Sequence, residues 1–273
     1  MHIGLSLGIN NPVPRTTSGG VTPPLDDYTG AQTAWSVARK LRTAYSGSLI
    51  RVRRDSDNAE QDIGFDSNGN LDESALTTFV GAGSGYITTA YDQSGNGNDW
   101  TQATSTLQPR IVDTGTIEKV NGKPAAYCLN DKYIGFATGI ITSHDASFFG
   151  VFKHSTTNAC FFHADVSYWV GRLSSGVATN SYSNSGTPTT SVNNIEVGIT
   201  QGDLFVAVDG NHVICSIVGA TLDSGWANIE TGFSSSSLVK SPDYMQETII
   251  YFSDESANKS DINNLINDYY GIY

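Results

Sequence analysis

Carboxylates are the residues of this chain best able to do chemistry, with 27 Asp and Glu against 15 Lys and Arg in 273 residues. Glycoside hydrolysis needs two of them, one to protonate the leaving oxygen and a second about 5 Å away as nucleophile, or farther off as base. Glu247 is the best placed single candidate. Gln246 to Phe252 alternates as a strand, and Glu247 shares a face with Ile249 and Tyr251, where a half-buried carboxylate would have an altered proton affinity. The plainer alternative is a solvent-facing residue on an edge strand. No second carboxylate is as well placed. Tyr91 to Trp100 is the other polar concentration, with Gly95 and Gly97 set among Asp92, Ser94, Asn96, Asn98 and Asp99. Asp92, Ser94, Asn96 and Gly97 match the opening of an EF-hand loop, but its twelfth position is Ala103 rather than a bidentate glutamate. Calcium on Asp92 and nearby carbonyls is one reading. A loop bonded to itself through Asx and ST turns is the preferred one, so no metal or cofactor is assigned. Asp92, Asn96 and Trp100 stand as ligand-contact candidates. His2, His144, His154, His163 and His212 form no HExxH or HxH pattern, and no GxSxG elbow supplies a nucleophile.

These residues must be positioned by mostly short strands. Tyr86 to Tyr91, Leu49 to Arg53, Ala146 to His154, Ala159 to His163, Tyr168 to Leu173, Ile195 to Thr200, Leu204 to Val208 and Val213 to Val218 read as strands bounded by turn residues. Gln201-Gly202-Asp203 and Asp209-Gly210-Asn211 then make Ile195 to Val218 a three-stranded meander. Ala31, Ala34, Trp35, Ala38, Leu41 and Tyr45 recur at helical spacing and predict an amphipathic helix ended by Gly47. Asp72 sits where an N-cap belongs, before a helix at Glu73 to Val80, and Ile262, Leu265, Ile266 and Tyr269 predict a closing helix. Residues 1–30, with their prolines and glycines, read as an arm or linker, and 31–273 as one domain. Arg39, Lys40, Arg42, Arg51, Arg53 and Arg54 could form a phosphate or sulfated-sugar site. Pairing with Asp55, Asp57, Glu60 and Asp62 is the preferred reading.

Composition bounds the partners. A formal charge of −12 disfavours nucleic acid and anionic membrane. No apolar run is long enough to span a bilayer, and the N-terminus lacks the basic lead of a signal peptide. Cys128, Cys160 and Cys215, odd in number and far apart, read as buried free thiols. Trp100, Trp169, Trp226, Tyr168 and Tyr182 could stack on sugars or fill the core.

The runs Trp35 to Gly47, Ile50 to Arg54 with Asp57 to Gly64, and Tyr91-Asp92-Gln93-Ser94-Gly95-Asn96-Gly97-Asn98 together resemble the catalytic domain of the family 54 α-L-arabinofuranosidases, and Glu247-Thr248-Ile249-Ile250-Tyr251-Phe252 looks like the family strand carrying a catalytic glutamate. The resemblance implies an all-β, concanavalin A-like antiparallel sandwich (a jelly roll) with a few short helices. The same motifs resemble non-enzymatic concanavalin A and laminin G-like proteins of bacteriophage particles. Members of the enzyme family carry a signal peptide, an adjacent-cysteine bridge and an arabinose-binding domain, which this sequence is read as lacking. The resulting expectation is a virion structural or attachment protein. It would bind a cell-surface glycan, dock to other virion proteins through its arm and form a homo-oligomer. The alternatives are an arabinofuranosidase-like hydrolase with Glu247 catalytic, and a decoration protein without ligand.

Overall fold

The computed structural model describes residues 21–128, 132–139, 142–155, 158–164, 168–175, 181, 183, 185–231 and 242–273. In chain order the first strands are β1 (Thr33–Ser36), β2 (Ile50–Arg54), β3 (Glu60–Ile63), β4 (Gly85–Ala90), β5 (Trp100–Thr101) and β6 (Arg110–Asp113). Short ones follow: β7 (Thr116–Ile117), β8 (Lys119–Val120), β9 (Lys123–Pro124) and β10 (Ala126–Tyr127). Then come β11 (Ile134–Ala137), β12 (His144–Lys153), β13 (Asn158–His163), β14 (Trp169–Ser174), β15 (Thr189–Val192) and β16 (Ile195–Glu196). The last are β17 (His212–Leu222), β18 (Asn228–Thr231) and β19 (Tyr244–Tyr251), and the helices are α1 (Pro24–Asp27), α2 (Glu73–Val80), α3 (Gln201–Val208) and α4 (Lys259–Tyr270).

Every strand pairing described is antiparallel, and β4 forks the sheet. Its C-terminal half pairs with β5, which leads through β11, β18 and β13 to β14. Its N-terminal half pairs with β6, which leads through β10, β19, β12 and β17 to β15 and β16. The two arms face each other as a sandwich. Phe148 and Phe152 of β12 meet Phe162 and Phe161 of β13 at ring separations of 4.8 and 4.5 Å, and one continuous core joins the arms. A second core lies on the other face of β12, β17 and β19, where Phe149, Val151, Ile214, Ile249 and Tyr251 are roofed by Ile262, Ile266 and Tyr270 of α4 and by Leu25, Ala31, Ala34, Ala38 and Leu41.

Three expectations change here. The segment 31–45 is not a helix. Thr33–Ser36 pairs with Ile250 to Glu247 as strand β1, buried on both faces, so its apolar recurrence reflects burial all round rather than one helical stripe. The Leu204 to Val208 strand is part of helix α3. Thr200 and Asp203 form a reciprocal capping box there, with the Thr200 Oγ1 accepting from the Asp203 N–H at 3.1 Å and the Asp203 carboxylate from the Thr200 N–H at 3.1 Å. The three-stranded meander therefore does not form. Of the expected arm, residues from Pro24 on are packed, with Leu25 buried in the second core; residues 1–20 lie outside the described residues. Helices α2 and α4 form where the spacing places them, and the Asp72 side chain caps α2 by accepting from Ala75 N–H at 2.9 Å.

Candidate functional site

Glu247 lies on β19 and shares its face with Ile249 and Tyr251, but that face is the second core. Its side chain is 0% exposed. Arg39 Nε and Nη2 donate to its two oxygens at 2.8 Å each, and the Tyr270 hydroxyl donates to Oε2 at 3.1 Å. The guanidinium also lies over the rings of Tyr269 and Tyr270, at 4.6 and 5.5 Å. Burial opposes the Arg39 charge, the facing carboxylate more than offsets it, and the Arg39 pKa is raised. A surface hollow of about 660 Å³ reaches Arg39 and Tyr269, and Glu247 is not among its walls. The expectation of a half-buried Glu247 is thus corrected to a fully buried one, and the alternative of a solvent-facing residue on an edge strand is corrected with it. β19 is flanked by β1 and β12, and α4 closes the side on which the carboxylate stands.

The Asp92 to Trp100 loop is bonded to the chain rather than open to a ligand. Asp92 is 4% exposed. Its Oδ1 accepts from Ala34 N–H and Ser94 N–H, both at 2.9 Å, and its Oδ2 from Ser94 Oγ at 2.7 Å and Asn98 N–H at 3.0 Å. Asn96 Nδ2 donates to the carbonyls of Ala31 and Gln32, and Asn98 Nδ2 to that of Gln32. Trp100 is buried, donates to Thr33 Oγ1 at 2.9 Å, and packs between Trp35 and Phe136. Asp92 and Trp100 are therefore corrected from ligand contacts to a clamp on residues 31–34, and Asn96, itself exposed, spends its amide donor on the same segment. A calcium ion on Asp92 would have to displace four hydrogen bonds, and no group of three or more metal-ligating side chains gathers among the described residues. The basic cluster divides. Arg51 pairs with Asp62 and Arg54 with Asp57, both at 2.7 Å, whereas Arg42 donates to the Ser94 carbonyl and Arg53 to Gln108 and Asn58.

The structure assembles a different place where chemistry can occur. Thr101 of β5, Gly135 of β11, Glu230 of β18, His163 of β13 and Trp169 of β14 are successive cross-strand partners, and partners across antiparallel strands point to the same side. On β18, Ile229 and Thr231 enter the core while Asn228 and Glu230 face outward, half-buried. The Glu230 side chain keeps 20% exposure, and its Oε2 lies 3.9 Å from His163 Nε2. Asn228 Nδ2 donates to Oε1 at 2.7 Å. Burial pushes the Glu230 carboxyl up to about 7, against the Asn228 hydrogen bond, which pulls it down. Next along the row is Trp169, with Arg172 over its ring at 5.1 Å. A carboxyl that titrates near neutrality and still meets solvent can give or take a proton at physiological pH.

The sequence reading missed Glu230. Asn-Ile-Glu-Thr does alternate outward and inward, but four residues are too few to mark a strand, and nothing in the chain order brings it beside His163. Of the aromatic candidates, Trp226 is buried and donates to Ser185 Oγ, Trp169 and Tyr168 are half-buried near the row, and Tyr182 lies outside the described residues.

Comparison with known proteins bears on which chemistry this is. Residues 25–133 match the family description "Alpha-L-arabinofuranosidase B, catalytic". The α-L-arabinofuranosidase B of Aspergillus kawachii is 40% identical over 104 residues, which is 36% of this chain and 19% of that protein. A probable α-L-arabinofuranosidase B of Aspergillus clavatus is 40% identical over 93 residues, 32% of this chain and 18% of that one. The resemblance to family 54 is supported. A solved family 54 α-L-arabinofuranosidase, soaked with a cyclic sulfate inhibitor, superimposes with a TM-score of 0.61 at 19% identity, covering 90% of this chain and 64% of that one. An arabinofuranosidase complexed with arabinofuranosyl-α-1,2-xylobiose gives 0.59 at 21% identity over the same shares. The fold is thus an antiparallel β-sandwich like theirs. This chain spans under a fifth of the curated relatives in sequence and just under two thirds of the solved chains in structure.

These relatives overturn the expectation of a non-enzymatic virion protein. Its virion localisation, its virion partners, its homo-oligomer and its phage attachment role go with it, since the matches are to arabinofuranosidases of fungi and to solved glycoside hydrolases. Of the outward row, only Thr101 falls within the matched stretch 25–133. That stretch otherwise contributes Arg39 and the Asp92 loop, both of which brace the sandwich.

Proposed function

We propose that this chain is a glycoside hydrolase domain acting on α-L-arabinofuranosides, with Glu230 as the carboxyl that protonates the leaving oxygen and a glycan as substrate. The observation that carries the reading is Glu230 itself. It is an outward carboxyl, protonated for much of its time near neutral pH, in a chain whose relatives cleave this bond. Protonation of the departing oxygen is what an ordinary sugar alcohol needs to leave. Trp169 offers an apolar ring two strands along the same face, and Asn228 and His163 hold the two carboxyl oxygens in place.

The test compares two leaving groups. On an arabinoxylo-oligosaccharide, Glu230→Gln is expected to lower kcat/KM by about 10²–10⁴-fold. On 4-nitrophenyl α-L-arabinofuranoside, whose leaving group departs without help, the loss should be much smaller. Because the acid must be protonated to act, kcat/KM on the oligosaccharide should fall as pH rises through about 7. Absence of turnover on both substrates, or equal rates for Glu230→Gln and the unaltered chain on the oligosaccharide, would refute the assignment.

A further inference from the structure

Glu230 is placed by a residue that has no side chain. Gly135 is its partner across β11 and β18, and a β-carbon built there would stand 2.7 Å from Glu230 Cγ, 2.8 Å from the Ile229 carbonyl oxygen and 3.3 Å from Glu230 Cα. Real β-carbons do not approach that closely, so the Glu230 side chain occupies the space a residue at 135 would otherwise fill. The next outward position on the same strand pair is Ala137 opposite Asn228, where a β-carbon is accommodated. The demand for glycine at 135 thus has two sources, the Glu230 side chain and the Ile229 carbonyl of the same strand, and only the first depends on the residue at 230. Gly135 has ordinary strand geometry, because it is not among the residues with positive φ, so conformational freedom does not explain it.

We propose that Gly135 is a positioning residue: by omitting a β-carbon it lets the stem of the Glu230 side chain lean over β11 instead of standing out into water, while its two oxygens stay by Asn228 and His163. The proposal rests on the reading of Glu230 as the proton donor and supplies its structural cause. In that position the carboxyl loses hydration on the β11 side, where Gly135 brings neither charge nor hydrogen-bonding side chain. Among the described residues, the groups that meet it are His163 from β13 and Asn228 from its own strand, and the same face of the sheet carries Thr101 beyond β11 and Trp169, with Arg172 over its ring, beyond β13. A side chain at 135 would lift the carboxyl off this surface and rehydrate it, and the charged form would become easier to reach.

The experiment follows the Glu230 carboxyl by carbon-13 NMR titration, its signal assigned by loss in Glu230→Gln. In the unaltered protein the midpoint is expected near 7. In Gly135→Ala it should fall by more than one pH unit toward the ordinary glutamate value of about 4.3, a loss of over tenfold in proton affinity, and the upper limb of the kcat/KM profile should move with it. An unmoved midpoint in Gly135→Ala would overturn the proposal. If Gly135→Ala folds too poorly to titrate, a double-mutant cycle with Glu230→Ala reads the same contact. Removing the Glu230 side chain should restore part of the stability that Gly135→Ala loses, and strictly additive losses would overturn the proposal. The NMR midpoint does not depend on turnover. A shift in Gly135→Ala together with no arabinofuranosidase activity would keep the positioning role and remove the catalytic one.

Discussion

Glu247 and Glu230 are both withdrawn from water, and their surroundings give them opposite chemistry. Glu247 faces a guanidinium that meets both of its oxygens, and the Tyr270 hydroxyl adds a third hydrogen bond. Such a pair braces the junction of β1, β19 and α4, at the cost of desolvating two charges. Glu247→Ala leaves Arg39 buried without a counter-charge and is expected to cost about 3–5 kcal/mol, read from the urea midpoint. Replacing both partners by apolar residues, Arg39→Met with Glu247→Leu, should recover most of that loss and leave kcat on arabinofuranosides near its original value. A folded double variant without activity would return Glu247 to the reaction. Among the described residues, Glu230 meets no such cation. It has one amide donor and a histidine at 3.9 Å, and burial therefore shows in its proton affinity. Which of the two glutamates is sealed against a cation and which has its proton affinity raised depends on their neighbours, and Arg39 and His163 lie far from them in sequence.

At the scale of elements, backbone hydrogen bonding decides what periodicity cannot. Residues 31–45 carry apolar residues at helical spacing, yet their backbone groups are claimed from outside. Asp92 takes the Ala34 N–H, Gln93 Oε1 takes that of Leu41, and β19 pairs with Thr33–Ser36. No helix can compete once those partners are in place. The reverse occurs at Leu204 to Val208, an apolar run that suits a strand but begins just after a threonine and an aspartate spaced for a capping box. Thr200→Ala should lower stability by about 1 kcal/mol by losing that cap, with a matching decrease in helical circular dichroism. An unchanged urea midpoint would mean that α3 is held by its packing alone. The Asp92 loop is the clearest element-scale case of types read well and purpose misread. Its Asx and ST bonds form as the spacing suggests, and they serve residues 31–34 rather than a ligand.

At the scale of the molecule, two sheet arms and a helical cover form three layers around two cores, and the row of Thr101, Gly135, Glu230, His163 and Trp169 crosses the outer face of one arm, with His163 buried within it. Holding Glu230 there has a global consequence. Its folded midpoint of about 7 exceeds the unfolded value of about 4.3, so between these pH values the folded state binds the extra proton. Its contribution to stability is therefore lost as pH rises from about 4 to 7. Glu230→Gln should match the unaltered protein near pH 4 and gain on it progressively up to about pH 7, as followed by urea midpoints. Taking the difference removes His212, whose lowered pKa acts in the opposite sense near neutrality, and Asp57, held down to about 2 by Arg54. Equal midpoints for the two proteins at pH 8 would show that Glu230 is ordinarily hydrated. The sequence by itself determined the β-rich class, helices α2 and α4 and the self-bonded turn at Asp92, because strand alternation, an N-cap and Asx turns act over a few neighbouring residues. Only the tertiary structure decided that Glu247 is sealed and Glu230 outward, and that Gly135 leaves room for it. Burial and cross-strand pairing join residues about 70 to 200 positions apart, and no local pattern records them.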